Sequence, residues 1–214
     1  MKVLVTGFDP FGGESVNPAL EAIKKLDGRI IADSVVTICE LPTVRRKAIV
    51  ALREAIFKID PAVIIAVGQA GGRMEITPER VAINIDDFRI KDNEGNNPID
   101  EPIEPFGLTA YWSTLPIKKM VEVMRENGVP ASVSNSAGTF VCNHLFYGLM
   151  HQLCIEGNKR RGGFIHIPYL PEQVSRSPGQ PSMSLDMIVR GLEIAIEVAL
   201  TTAEDCQLTG GTIC

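Results

Sequence analysis

The sequence predicts an α/β protein built on a mainly parallel sheet with helices on both faces. Three observations carry this. The runs KVLVT (Lys2–Thr6), VIIAVG (Val63–Gly68) and GFIHI (Gly163–Ile167) are strand-sized and mostly apolar, as strands buried on both faces are. Between them lie segments whose apolar residues recur at helical spacing. The two kinds alternate along the chain, the order that parallel strands joined by crossover helices require.

Each element has a local reason. Lys2–Thr6 is closed by Gly7, and Asn17-Pro18 reads as an N-cap followed by proline at the first helical position, opening a helix to about Leu26. Ile30–Leu41 is β-rich. Ile49, Leu52, Ile56 and Ile59 share one helix face, and Asp60-Pro61 ends that helix. Ala62–Gly68 is the second apolar strand, and Arg80–Ile90 is strand-like. Lys91–Phe106 is rich in acidic residues, Asn, Gly and Pro, so it reads as a loop. Ile117, Met120, Val121 and Met124 form a stripe stopped by Gly128; Ala131–Ser136 reads as a strand. Leu145, Leu149 and Leu153 mark a further helix, and Leu185–Leu200 a long C-terminal one.

The 214 residues suit one domain, expected over 1–204, with a frayed tail over 205–214. Hydrophobic content of 45% and charged content of 22% are those of an ordinary globular protein. A net charge of −5 argues against nucleic acid or an anionic membrane as partner. Cys39, Cys142, Cys154, Cys206 and Cys214 are odd in number and scattered without a CxxC pair, which argues against a disulfide framework and a zinc knuckle. The N-terminus has too short an apolar run for a signal peptide, and no apolar stretch is long enough to span a bilayer. A cytoplasmic protein with reduced thiols is expected.

In such sheets, sites form where strands end. Four segments would meet there: Phe8–Asn17, Gln69–Glu79, Cys142 and the end of GFIHIPY. The Gly-rich GFDPFGGESVNP is neither GxGxxG nor GxxxxGK[ST], so it reads as a tight connection before it reads as a phosphate cradle; its Phe8 and Phe11 suit an apolar wall. GQAGGR (Gly68–Arg73) is either a backbone needing positive φ or a turn that lets substrate approach the main chain. KDNEGNNPIDE (Lys91–Glu101) fails the spacing of a calcium loop. His144 and His151, seven apart on a predicted helix, lack the third ligand of a metal site. His166 is polar in a hydrophobic strand, so it is a satisfied core histidine or a functional one.

Cys142 lies between a strand end and a helix, in SNSAGTFVCNHLFYGLM (Ser134–Met150). It is either a small core residue or a nucleophile. In the second reading, unpaired N–H groups and the helix dipole favour the thiolate, and the same N–H groups can stabilise an oxyanion. A Cys–His pair then needs an orienting group, and the TPER segment supplies Glu79. The residues thus reach a candidate cysteine hydrolase without a substrate.

Five stretches resemble the pyroglutamyl peptidase I (pyrrolidone-carboxylate peptidase) family of bacterial cysteine peptidases: VTGFDPFGGESVNPALEA, GQAGGRMEITPERVAIN, AYWSTLP, SNSAGTFVCNHLFYGLM and GFIHIPYLPEQ. They span nearly the whole chain in the family order. The resemblance implies a three-layer α/β/α sandwich with a mainly parallel, twisted sheet, phosphorylase/hydrolase-like, and a homotetramer. It implies Glu79, Cys142 and His166 as catalytic triad, and a pocket walled by Phe8, Phe11, Ile90, Phe140 and Val141. Asn17 and Gln69 would meet the lactam, and Arg89 would assist the oxyanion. Where many relatives have A-R-I-P-D-N, this chain has Phe88-Arg89-Ile90-Lys91-Asp92-Asn93.

The reaction implied is release of an N-terminal pyroglutamyl residue (5-oxoproline) from peptides through a thioester, with no metal or organic cofactor. Two other classes fit the same fold class: a nucleoside phosphorylase-like enzyme and a non-catalytic small-molecule binding protein.

Overall fold

The computed structural model describes residues 1–211. Among these residues the elements are β1 (Lys2–Phe8), α1 (Pro18–Lys24), β2 (Ile30–Ile31), β3 (Ser34–Leu41), α2 (Lys47–Ile59), β4 (Val63–Gln69), β5 (Thr77–Pro78), β6 (Val81–Ile83), β7 (Ala110–Trp112), α3 (Ile117–Glu126), α4 (Val141–Ile155), β8 (Arg161–Ile167), α5 (Pro171–Val174) and α6 (Leu185–Thr201). One sheet has the order β2-β3-β1-β4-β8-β5. Its inner strands β3, β1, β4 and β8 are parallel, and the two-residue edge strands β2 and β5 are antiparallel. The fold is α/β, as the alternating pattern predicts.

Residue alternation builds two cores. Val3, Val5, Ile65, Val67 and Ile165 face one way, under Leu20 and Ile23 of α1, Met120 and Met124 of α3, and Ile188 and Leu192 of α6. Leu4, Ile64, Ala66 and Phe164 face the other way, under Leu52 and Ile56 of α2 and Leu145 and Leu149 of α4. Burying each large aliphatic side chain contributes about 1.5–3 kcal/mol, so the sandwich is held from both sides of the same strands.

Helix ends follow the expected chemistry. The Asn17 side chain accepts from the Ala19 N–H at 3.0 Å, with Pro18 beginning α1. Asp60 ends α2 with a left-handed φ of 53° ahead of Pro61.

Three expected strands are corrected. Ile30–Leu41 is a hairpin, because Ala32 and Asp33 both take positive φ and turn the chain between β2 and β3. Arg80–Ile90 keeps only β6, paired with β7 in a separate two-stranded sheet. Beyond it side chains take over: the Asn143 amide binds the backbone of Ile83 and Ile85, and Asn84 binds that of Glu104. Ala131–Ser136 makes only the isolated bridges Ile76 to Ala131 and Glu79 to Ser134.

In the C-terminal segment, the Asp205 carboxylate accepts from the N–H groups of Lys118 and Lys119 at 3.1 and 2.9 Å, capping α3, whose own Pro116 offers no cap. Residues 212–214, Cys214 among them, lie outside the described residues.

Candidate active site

The connection from β1 leads to β3 on one side, whereas β4 lies on the other side of β1. The loops leaving β1 and β4 therefore diverge, opening a crevice at the carboxyl ends of the strands.

Cys142 is the second residue of α4, at the carboxyl end of the sheet. Phe140 caps that helix without a side-chain hydrogen bond, and the first helical bond recorded there runs from the His144 N–H to Phe140 O at 3.1 Å. The Cys142 N–H is thus one of the first-turn donors that the helix itself leaves free. Its sulfur lies against β4. A Cβ built on Gly68 would sit 3.0 Å from Cys142 Sγ and 2.7 Å from the Phe164 ring, so only glycine leaves the thiol this space.

Gly68 is the register partner of His166 on β8. Paired residues point to the same face and adjacent strands lie about 4.8 Å apart. His166 therefore stands one strand away from the glycine that the thiol covers. The short β5 runs back along β8 with Thr77 opposite His166, and the Glu79 N–H donates to Phe164 O at 2.9 Å. This returns the Glu79 carboxylate to the ring, where Oε1 meets His166 Nδ1 at 2.7 Å. Nε2 is then left for the sulfur side.

The electrostatics suit a base that is unprotonated at rest. Burial lowers the pKa of His166 below the ordinary imidazole value, although Glu79 pulls it up. Burial raises that of Glu79, but the hydrogen bond and charge of His166, followed by Arg73, outweigh this and hold it below the usual carboxylate range. Burial, then the Glu79 charge, push the Cys142 thiol up to about 12. Enclosure beside a carboxylate thus opposes the help that the helix terminus gives the thiolate.

A groove of about 810 Å³ reaches Phe140 at the start of α4 and Gln69 at the end of β4, and is lined by Phe11, Arg89 and Ile90 among others. Phe11, Ile90 and Phe140 give it an apolar side, and polar and charged groups, Glu14, Asp87 and Arg89 among them, line the rest. The Gln69 amide is fixed, because its Oε1 accepts from Gln173 Nε2 at 3.0 Å.

The whole chain has close relatives. Residues 1–202 match the pyroglutamyl peptidase family. The chain belongs to this family. A pyrrolidone-carboxylate peptidase of Bacillus thuringiensis (strain Al Hakam) is 58% identical over 210 residues, covering 98% of each chain. One of Bacillus mycoides is 58% identical over 209 residues, 98% of this chain and 97% of the relative. The crystal structure of Bacillus amyloliquefaciens pyroglutamyl peptidase I superposes with a TM-score of 0.94 at 54% identity, covering 96% of this chain and 99% of that one. A mutant pyrrolidone carboxyl peptidase of Pyrococcus furiosus gives 0.91 at 48%, covering 94% and 98%.

In this pyroglutamyl peptidase the expected pocket residues fall into two sets. Phe11, Gln69, Arg89, Ile90 and Phe140 line the groove. Phe8, Asn17 and Val141 are buried behind it. The Phe8 ring packs on Phe164 at 6.4 Å between centroids. Asn17 uses both ends of its amide within the loop after β1, capping α1 and donating to Asp9 O at 3.1 Å. Phe88, where this chain departs from many relatives, is buried with its ring edge-on to Phe140 at 4.7 Å, backing the wall.

Neither of the other histidines joins the site. His151 Nδ1 meets the Tyr111 hydroxyl at 2.8 Å. His144 Nε2 accepts from the Arg46 N–H at 2.8 Å, which places its proton on Nδ1, facing Asp86 at 3.0 Å. The acidic loop is pinned by Asp92, which accepts from the N–H groups of Arg45, Glu94 and Asn96.

Sequence reasoning missed Arg73, which pairs with Glu79, and Tyr169 and Gln173, which also line the groove. A glycine at position 71 was the available signal for Tyr169, since a Cβ there would lie 2.3 Å from the tyrosine hydroxyl. Arg73 acts on Glu79 six residues on and Gln173 on the distant Gln69, and neither leaves a periodic trace.

Proposed function

We propose that Cys142, His166 and Glu79 carry out the removal of N-terminal pyroglutamyl residues from peptides. The observation that supports this best is that Glu79 Oε1 holds His166 Nδ1 at 2.7 Å while Gly68, the register partner of His166, lies under the Cys142 sulfur. A pyroglutamyl terminus is a neutral lactam, so recognition calls for apolar contact and hydrogen bonds without a carboxylate clamp. Phe11, Ile90 and Phe140 supply the contact, and Gln69 supplies an oriented amide.

The reaction runs in two halves. Cys142 gives its proton to His166 Nε2 as sulfur attacks the pyroglutamyl carbonyl carbon. The oxyanion is met by the Cys142 N–H and the Arg89 guanidinium. The C–N bond breaks as His166 returns the proton to the departing amine, leaving a thioester. His166 then takes a proton from water, the hydroxide attacks the thioester carbonyl carbon, and the C–S bond breaks to release 5-oxoproline as His166 returns the proton to the sulfur. Glu79 holds the ring and supports its transient cation. Family membership disfavours the nucleoside phosphorylase-like and non-catalytic readings.

The reading extends to a cytoplasmic homotetramer acting on free peptides. No described helix is long and apolar enough to cross a membrane. Phe57 is 91% exposed on α2, near Val50, and Arg53 between them pairs with Glu104, which draws the exposed Phe106 and Leu108 segment to the same side. Such a surface suits association with further copies.

The test is hydrolysis of a chromogenic pyroglutamyl amide by Cys142→Ser. The variant folds and loses nearly all turnover, since the hydroxyl lacks a base tuned to it; serine at Cys39, Cys154 or Cys206 leaves turnover intact. Substantial activity in Cys142→Ser removes the sulfur from the mechanism.

A further inference from the structure

We propose that Arg73 is a positioning residue of this site, sharing with His166 the single Glu79 oxygen that orients the ring and thereby setting the pH at which His166 becomes a usable base. The proposal rests on the Cys142–His166–Glu79 reading above and deepens it.

The geometry is specific. Glu79 Oε1 accepts from His166 Nδ1 at 2.7 Å and from Arg73 Nη1 at 2.6 Å. The Glu79 side chain is fully buried and that of Arg73 is 28% exposed, so the guanidinium closes the carboxylate off from the outside. The same fork is tied down twice more: Nη1 also donates to Thr77 Oγ1, and Nη2 to Ser136 O at 3.2 Å. Gly72, at φ 84°, makes the turn that brings Arg73 back over Glu79.

A buried carboxylate needs a cation. Were His166 the sole partner of Glu79, the cheapest arrangement would keep a proton on the ring, and a protonated ring cannot take the thiol proton. Arg73 supplies permanent positive charge to the same oxygen. Glu79 then stays ionised while His166 stays free to accept. The charged groups that bear on His166 among the described residues are Glu79 from the segment after β5 and Arg73 from the loop after β4; the Cys142 thiol of α4 lies over its register partner Gly68, and Phe164 on its own strand packs on the ring at 4.8 Å without charge. Arg73 is the cation of that set, and it lowers the proton affinity of His166, Glu79 and Cys142 alike.

The experiment is the pH dependence of kcat/KM on a chromogenic pyroglutamyl amide for wild type, Arg73→Lys and Arg73→Gln, with Cys142→Ser alongside. Removing the cation favours the imidazolium, so the acid limb of Arg73→Gln moves to higher pH by about 0.5–1 unit. Arg73→Lys keeps the charge, so its limb stays near wild type even where kcat falls. An unmoved limb in an active Arg73→Gln enzyme overturns the proposal and leaves the triad standing; an active Cys142→Ser overturns the triad itself. Should Arg73→Gln be too unstable or too slow to assay, its stability in urea decides. Without the cation, the folded-state pKa of Glu79 rises. The deficit relative to wild type then grows as pH increases from about 4 to 8. A deficit that does not change with pH, or a variant that folds at no pH, makes Arg73 merely structural and overturns the proposal.

Discussion

Gly68 fixes where the reactive sulfur can lie, because any Cβ there would meet both Cys142 Sγ and the Phe164 ring. The thiol is thereby set over the strand pair that carries His166. Orientation then falls to Glu79, and Glu79→Gln tests it. The amide keeps the size and an acceptor but removes the charge that supports the imidazolium, and its NH₂ can face the ring and favour the wrong tautomer. The expected outcome is a fall in kcat of roughly 10²–10⁴, with a smaller change in KM, against near wild-type rates for Glu75→Gln. A Glu79→Gln enzyme within about threefold of wild type at every pH would reduce the triad to a Cys142–His166 dyad. The wild-type acid limb is expected below the ordinary imidazole value, since burial lowers the pKa of His166 and activity appears as the ring loses its proton. At this scale Cys142 and His166 were legible, one as a thiol at a helix start and the other as a polar residue in an apolar strand. Arg73 was not: an arginine in a Gly-rich loop reads as solvated until its partner six residues on is known to be buried.

The first turn of α4 fastens more than the nucleophile. Asn143 holds the backbone of Ile83 and Ile85, and His144 holds Asp86, which also accepts from Arg45 Nε at 2.7 Å. One residue further on, the Asp87 N–H donates to Thr139 O at 3.1 Å and the Thr139 hydroxyl to Asp87 O at 2.7 Å. The wall segment that carries Arg89 and Ile90 is thus stitched to the segment that presents Cys142. His144 also caps the opposite turn, taking the N–H of Arg46, whose φ of 63° puts it in a strained conformation before α2. His144→Ala leaves both the Arg46 N–H and one side of the buried Asp86 without a partner. It is expected to cost about 2–4 kcal/mol of stability. KM rises more than kcat falls, because the wall loosens while the chemical groups stay; denaturant titration and steady-state kinetics check the two halves. A kcat loss as deep as that of Cys142→Ser would place His144 in the chemistry. Sequence periodicity found α4 but not this role, since Asn143 and His144 interrupt the apolar stripe without announcing what they hold. The same side chains explain why Arg80–Ile90 reads as a strand and is largely not one.

Across the whole molecule, the central strands β1, β4 and β8 were readable because both faces are buried and their sequences carry no polar alternation. The edges were not, since β2 and β5 are two residues each and their pairing depends on turns at Ala32-Asp33 and on the return of the chain toward Glu79. That return places an ionised carboxylate and an unprotonated imidazole inside the fold, and this has a consequence for stability. Glu79 and Asp92 both have folded-state pKa values below their ordinary ones. For Glu79, the His166 hydrogen bond leads the causes that overcome burial; for Asp92, the donors from Asn96, Arg45 and Glu94 do. Groups of this kind contribute stability that is fully present above the unfolded carboxylate values and is lost as pH falls through the folded ones. His166, also depressed, adds a loss that begins higher, as pH drops below the unfolded imidazole value and the unfolded chain takes up a proton that the folded site resists. Urea midpoints are therefore expected to be steady between about pH 7 and 8 and to decline below that in two stages, a shallow one from about pH 6.5 and a steeper one below about pH 4.5. Glu79→Gln removes one contributor to the second stage, so its midpoint changes less with pH there than that of wild type. Parallel curves for the two proteins below about pH 4.5 would show that Glu79 keeps an ordinary proton affinity in the fold, contrary to its place between His166 and Arg73.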